Sequence, residues 1–292
     1  MNSNRRDKLS NMHASTPNVG SDTTGIREID VNTWEEFEHQ LRELRKCPEG
    51  WAESPLLYRG QRDSDWELET TLERNEQPRM LLHEYYRLIL KVRPQIEAFT
   101  GKRWVIPTYL SVMEWTKEYY KFSLRLTRGA LPGYEYMAYL RHHGFPSPLL
   151  DWSRSLHVAA FFAFRRAAHN KPNKRVSIYV FAEARFTTGS NSSPSIVRLG
   201  PYVRTHQRHF LQQSEYTLCV QFDEEWRFES YKNVFAYRGR GYCWKFNLPA
   251  TERLRVLKVL DEYNLNAFSL LNSEESLSET MALREFHFNG KG

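Results

Sequence analysis

Helical and strand-like patterns occupy different parts of this 292-residue sequence. Helical spacing of apolar residues prevails from residue 33 to residue 168, whereas residues 176–181, 216–222 and 242–248 are β-rich runs. Parallel α/β folds require strands and helices that alternate along the chain, and no such alternation occurs here. The order of the patterns therefore predicts an α+β fold and argues against a Rossmann fold or a TIM barrel.

The first helix is predicted to begin at Thr33, because Glu36 follows three residues later as in a capping box. Residues 80–99 carry a second helical pattern, which Pro94 is expected to kink or interrupt. Residues 134–141 are predicted to form a further helix. These segments are predicted to flank the sheet.

A strand-like segment at residues 148–152 precedes a run at 156–168 that is apolar on nearly every face. Such a run is typical of a buried helix. Residues 1–25 are polar and are predicted to form a flexible tail. Residues 26–292 are predicted to form a single domain, with 251–292 as its helical C-terminal part.

Several function classes are excluded or disfavoured by simple patterns. The most apolar stretch, residues 158–164, is too short to span a bilayer, and the polar N-terminus lacks the apolar core of a secretory signal. A cytoplasmic protein without a membrane partner is therefore expected. The three cysteines have unrelated spacings and no His-Glu-x-x-His motif occurs, so no metal site is predicted. A net charge of +6 permits a polyanionic partner without requiring one.

The first cluster with chemical potential is Tyr58-Arg59-Gly60-Gln61, at the end of a predicted apolar strand. The guanidinium of Arg59 offers a fork of donors that suits a phosphate or a carboxylate, and Gly60 would let a ligand approach the backbone. Arg59 is expected to lie outside the core packing. The alternative is a salt bridge at the rim of the fold.

The second cluster runs from Arg141 and His142 through Asp151, Trp152 and Ser153 to Ser155. Ser153 or Ser155 occupies the place of an N-cap for the following helix. Asp151 follows two leucines at the end of a buried strand, and a carboxylate in that position needs a partner.

The third cluster contains Gln213, Glu215 and Tyr216. Residues two apart in a strand share one face of the pleat, so Gln213 and Glu215 are predicted to address one ligand together. A polar turn before a strand is the alternative.

Taken together, the three clusters resemble the FRG-domain family, which is named for a Phe/Tyr-Arg-Gly motif. The resemblance extends over about residues 30–286 and includes Trp66, Leu68 and Arg74 after the first cluster and Arg204 before the third. Its most specific part is the segment from His142 to Ser153.

A more distant resemblance is to the ADP-ribosyltransferases that carry an Arg, a Ser-Thr-Ser and a Glu motif. It implies a split, mainly antiparallel β-sheet and NAD as the substrate. In that class the arginine binds a phosphate of NAD, the serine braces the nicotinamide side, and the glutamate stabilises an oxocarbenium-like transition state. The corresponding residues here are Arg59, Ser153 and Glu215, with Gln213 placed to orient the acceptor.

The two resemblances together imply two sets of site residues. The catalytic set is Arg59, Ser153, Gln213 and Glu215. The NAD-binding set is Tyr58, Arg59, Gly60, Gln61, His142, Asp151, Trp152 and Tyr216. Asp151 is the alternative catalytic carboxylate. Tyr58, Trp152 and Tyr216 are expected to clamp the nicotinamide ring, and the chemistry needs no metal.

The function that follows is mono-ADP-ribosyl transfer by a toxin or defence effector. Residues 165–175 and 198–209 are two basic runs, and basic residues interleaved with aromatics near a site favour a nucleic acid, RNA or DNA, as the acceptor. A neutralising antitoxin or chaperone protein is an expected partner. Two alternatives stay open: a non-catalytic module that senses a nucleotide or a nucleic acid, and a protein-interaction domain.

Overall fold

The computed structural model of this protein covers most of the predicted domain. It describes residues 25–45, 56–75, 77, 79–117, 126, 131–168, 171, 173–182, 193–204, 207–238 and 243–289. The predicted tail therefore lies outside the described residues, except for Gly25, and so does Cys47. In the described part, no helix has the length and apolar character needed to cross a membrane.

Eight strands of the described chain form one sheet that is mostly antiparallel. They are β1 (Arg27–Asp30), β2 (Leu57–Gln61), β3 (Leu150–Ser153), β4 (Arg175–Phe181), β5 (Ser195–Arg198), β6 (Ser214–Asp223), β7 (Glu225–Phe228) and β8 (Cys243–Pro249). Their order is β1-β8-β4-β2-β3-β6-β5, and β7 also pairs with β6. The β1–β8 pair is parallel, and every other pair is antiparallel.

The sheet is split between β2 and β3. Only Tyr58 and Ser153 are in register across that boundary, whereas β2 pairs with β4 over five residues and β3 pairs with β6 over four. One half therefore consists of β1, β8, β4 and β2, and the other of β3, β6, β5 and β7. The predicted α+β fold with a mainly antiparallel sheet flanked by helices is confirmed.

Helices surround the sheet. The described ones are α1 (Trp34–Arg45), α2 (Leu82–Thr100), α3 (Tyr109–Lys117), α4 (Tyr134–His142), α5 (Leu156–Phe164), α6 (Gln207–Leu211), α7 (Tyr231–Arg238), α8 (Arg253–Glu262), α9 (Ala267–Leu271) and α10 (Glu274–Leu283). Short 3-10 turns occur at Glu73–Asn75 and Ala250–Glu252, and a π-helical turn at Arg284–Phe288. The described residues after 250, up to Asn289, are mainly helical.

Two details of the helix predictions can be checked directly. Thr33 caps α1 as expected, because its Oγ1 accepts a hydrogen bond from the Glu36 amide at 3.2 Å. The expected interruption at Pro94 is wrong, since α2 runs through that residue. Proline removes one backbone N–H, and the burial of Tyr85 and Ile89 on the same helix offsets that loss.

Three apolar clusters cover the two faces of the sheet. On β4, Ile178 belongs to the first cluster and Tyr179 to the third, so these clusters lie on opposite faces. The first cluster packs α1, α5 and α8 on the β1-β8-β4-β2 half. The second packs α2 and α4 on the same face of the other half. The two clusters on one face therefore meet at the split.

Gly60 lets α5 lie directly on β2. A Cβ atom at Gly60 would be 1.9 Å from the backbone oxygen of Ala159 and 2.6 Å from the amide nitrogen of Ala163. The space beside this glycine is therefore occupied by the helix. The packing of the helix is therefore a second reason for a glycine here, beside the predicted close approach of a ligand.

Replacing Gly60 with alanine is expected to lower the free energy of unfolding by about 3 kcal/mol, because backbone atoms of α5 have to move away from β2. Urea denaturation measures the change. Gly101→Ala is the comparison: its Cβ meets nothing within 4 Å, so only the cost of its left-handed backbone, about 1 kcal/mol, is expected. Equal losses in the two variants would contradict this account of the α5–β2 packing.

Candidate functional site at the split of the sheet

Arg59 bridges the split. It lies in the middle of β2, and its Nη1 donates to the backbone oxygen of Asp151 on β3 at 2.7 Å and pairs with Asp151 Oδ2 at 2.9 Å. The side chain is only 13% exposed. The expectation that Arg59 lies outside the core packing is therefore wrong, since this guanidinium joins the two halves of the sheet where the ladder of strand pairing stops.

Asp151 lies between two arginines. Besides Arg59, its Oδ1 accepts a short hydrogen bond from Nη2 of Arg141, at the end of α4. Arg141 also donates from Nη1 to Thr71 Oγ1 at 3.3 Å. Burial raises the pKa of Asp151, but the charges of Arg59 and Arg141 outweigh it, so that pKa lies well below its ordinary value. The partner that this carboxylate requires is thus a pair of guanidiniums.

The surroundings of Asp151 are rich in positive charge. Arg74 lies near Arg141 and Arg59. Its pKa is lowered mainly by burial and then by the positive charges of these two arginines. Arg74 forms no ion pair with any residue that the structure describes. The Nε atoms of Arg59 and Arg141 are buried, and no residue in the described part of the chain accepts a hydrogen bond from them. Such a cluster suits an anion with several oxygens, as a phosphate has.

A small cleft opens beside this cluster, between the split strands and α5. Its volume is about 50 Å³. Six residues of the predicted site line it: Tyr58, Arg59, Gly60, Asp151, Trp152 and Ser153. Gln212 and Ser214 complete the wall on the β6 side. This volume suits one or two water molecules, so a dinucleotide requires the cleft to widen.

Ser153 ties the start of α5 to the turn before β6. Its Oγ donates to the Gln212 backbone oxygen at 2.7 Å and accepts from the Ser155 amide at 3.0 Å. Ser155, in turn, is the N-cap of α5, with its side chain accepting from the Val158 amide. Of the two serines considered for the cap, Ser155 therefore caps the helix, while Ser153 fixes the loop wall of the cleft.

Glu215 lies on the neighbouring strand and does not line the cleft. It is in register with Trp152, so it points to the same face as Trp152 and Arg59, opposite to Ser153. The carboxylate is almost completely buried. Its Oε2 accepts from Nε of Arg198, and Nε of Arg154 lies 3.6 Å from Oε1.

Gln213 is not part of the strand. β6 begins at Ser214, and Gln213 has a φ of +47°, in the left-handed region. The predicted pairing of Gln213 and Glu215 on one face of a pleat is therefore wrong, because the alternation of a strand does not reach Gln213. The polar turn that was the alternative is what the backbone shows.

The aromatic residues of the predicted site are core residues. Tyr58, Trp152 and Tyr216 are all buried, and Trp152 Nε1 donates to Thr217 Oγ1 at 2.7 Å. Tyr58 and Trp152 also line the cleft, whereas Tyr216 does not. The predicted ring clamp stays a prediction. His142 contacts Tyr216, whose hydroxyl lies 2.6 Å from His142 Nε2.

One residue that was assigned to the site lies outside it, and one that was not assigned belongs to it. Gln61 is buried, does not line the cleft, and donates from Nε2 to the Glu67 backbone oxygen at 3.2 Å. Arg141 was not assigned to the site although it precedes His142 directly. The need of Asp151 for a cation was the available signal, but the sequence does not tell which arginine supplies it.

Part of the chain that forms this site matches a known family. Residues 54–172 match the model of the FRG domain. The matched segment contains Arg59, Arg141 and Asp151 and ends before Glu215. No curated protein and no solved structure matches this chain at a significant level.

Proposed function

We propose that this chain is a mono-ADP-ribosyltransferase that cleaves NAD at the split of the sheet. One observation carries the proposal. Arg59, Ser153 and Glu215 lie on β2, β3 and β6, which are neighbours in the sheet in that order. The residues to which the resemblance assigns phosphate binding, bracing and charge stabilisation thus lie on three adjacent strands.

The charges of these residues suit the chemistry. When the bond between nicotinamide and ribose breaks, positive charge develops on the ribose, and a fixed carboxylate nearby stabilises it. The resemblance assigns that role to Glu215, which Arg198 and Arg154 hold in one orientation. Because Glu215 does not line the cleft, this role depends on the same widening of the cleft that a dinucleotide requires. Arg59 supplies a fork of donors for a phosphate of NAD, and its Nη1 also donates to the backbone oxygen of Asp151.

The surface beside the Gln213 turn supports a nucleic acid as the acceptor. Tyr202 and Phe210 are both exposed, and the Gln213 amide donates to the Phe210 backbone oxygen at 3.1 Å. Arg204 and Arg208 lie in the same stretch of chain. Exposed rings next to guanidiniums bind single-stranded nucleic acids by stacking and by charge. A cytoplasmic toxin or defence role with a neutralising protein partner belongs to the same proposal.

A non-catalytic nucleotide-binding module is the second candidate. It is favoured by the contacts of the two groups assigned to the chemistry. The hydroxyl of Ser153 is engaged by Gln212 and Ser155, and Glu215 is buried under two arginines. Under this alternative, the arginines around Asp151 bind a nucleotide and no bond is broken.

One experiment separates the two functions. The protein is incubated with NAD labelled in the adenosine part, together with total RNA, a single-stranded DNA oligonucleotide, or lysate protein. Release of nicotinamide with transfer of label to one of these acceptors is the expected result. Binding of NAD by calorimetry without nicotinamide release would favour the module, and absence of both would contradict both functions.

A further inference from the structure

Asp151 is held by two arginines in a way that a phosphate group could also be held. One carboxylate oxygen pairs with Arg59 and the other with Arg141, so each guanidinium holds a different oxygen. Two oxygens of a phosphate group can take the same two places, because guanidinium forks match carboxylate and phosphate equally well. The two arginines therefore form a pair that accepts either anion.

The carboxylate lies on the solvent side of this pair. The Asp151 side chain is 45% exposed, whereas each of the two arginine side chains is 13% exposed. Asp151 also lines the cleft, which Arg141 does not. A ligand that enters from the cleft meets the carboxylate before it meets Arg141, so the carboxylate is the group that it would replace.

Arg59 and Arg141 have hydrogen-bond donors that Asp151 does not engage. The Nε atoms of Arg59 and Arg141 are buried and find no partner among the described residues, and a buried unsatisfied donor is costly. Arg74 adds a third positive charge nearby. A diphosphate carries more charge and more oxygens than one carboxylate, so it satisfies this cluster better than Asp151 does.

We propose that Asp151 is an internal substitute for a ligand phosphate, and that a diphosphate displaces its carboxylate from the Arg59–Arg141 pair. This rests on the proposed function in so far as the diphosphate is that of NAD. Arg141 is then a second phosphate-binding residue beside Arg59. Displacement of the carboxylate also widens the cleft, whose volume of about 50 Å³ is too small for a dinucleotide.

The opposing account makes Asp151 a fixed brace that positions Arg59. The two accounts predict opposite effects of Asp151→Asn on the affinity for inorganic pyrophosphate. If the carboxylate competes with the ligand, its neutralisation is expected to tighten pyrophosphate binding about tenfold, since an attached competing anion is removed. If Asp151 is a brace, the same change weakens binding because the arginines lose their orientation.

Calorimetry with pyrophosphate at low salt tests this on the full chain. Arg141→Lys keeps the charge but loses the fork, and it is expected to weaken binding about tenfold. Glu114→Gln removes one negative charge from the exposed face of α3 and is expected to leave the affinity within twofold of wild type. It shows that a tighter Asp151→Asn variant does not merely reflect net charge.

Asp151→Asn also removes two ion pairs, so its melting temperature is measured with and without pyrophosphate. The proposal expects a larger stabilisation by pyrophosphate in this variant than in wild type. Equal or weaker binding, or a variant that stays unfolded in millimolar pyrophosphate, would overturn the proposal. If Asp151→Asn binds pyrophosphate more tightly but the wild-type protein releases no nicotinamide from NAD, the inference about Asp151 stands and the proposed enzyme activity is contradicted.

Discussion

Replacing Arg59 with glutamine is expected to weaken NAD binding about 100-fold and to lower the melting temperature of the fold. Charge-assisted contacts to a phosphate contribute about 1.5–3 kcal/mol, and glutamine provides neither the charge nor the fork. The same change removes the bridge from β2 to the Asp151 backbone and carboxylate, where only one residue pair joins the half-sheets. Calorimetry measures the affinity, and circular dichroism follows the melting.

Arg62→Gln is the matched control for this prediction. Arg62 directly follows β2, three residues after Arg59, and its side chain is exposed. Its guanidinium lies over the Trp66 ring, 4.9 Å from the ring centroid. Its replacement removes the same charge, so NAD affinity within twofold of wild type and an unchanged melting temperature are expected. If Arg59→Gln behaved like this control, Arg59 would have neither the ligand role nor the bridging role.

Replacing Glu215 with glutamine is expected to reduce nicotinamide release about 100-fold while NAD affinity changes little. The reason is that the carboxylate stabilises charge that develops only in the transition state. The variant also breaks the buried ion pair between Glu215 and Arg198, which is expected to cost about 3 kcal/mol of unfolding free energy. Release is therefore assayed well below the melting temperature of the variant.

Arg198→Gln distinguishes lost chemistry from lost stability. This variant breaks the same buried ion pair but keeps the carboxylate, which Arg154 still contacts at 3.6 Å. We expect a similar loss of stability and at least tenfold more nicotinamide release than Glu215→Gln retains. Similar release from both variants would show that the effect is structural, and Asp151 would then be the next candidate for the catalytic carboxylate.

Much of the fold could be predicted from local patterns. The cap at Thr33, the helix around residues 134–141 and the β-rich runs that became β4, β6 and β8 depend on neighbours in sequence. The strands β1, β5 and β7 were not predicted, because four residues at a sheet edge carry too little alternation to be recognised. The sequence did not show that α2 continues through Pro94, because the burial that stabilises this helix is a tertiary effect.

The candidate site was predicted in part. Tyr58, Arg59, Gly60, Asp151, Trp152 and Ser153 do come together at one cleft. Gln61, His142, Gln213, Glu215 and Tyr216 do not line it. For Gln213 the cause is a left-handed turn where a strand was expected, and for Tyr216 it is complete burial. The roles of Ser153 and Glu215 in catalysis stay predictions.

The sequence by itself determined the α+β class, the approximate strands and helices, and the need of Asp151 for a positive partner. Only the tertiary structure decided that two arginines, 92 residues before and 10 residues before Asp151 in the chain, share that carboxylate at the split of the sheet. The physical reason is that hydrophobic periodicity is a local property, whereas the partner of a charge depends on which distant segments the packing brings within a few ångströms.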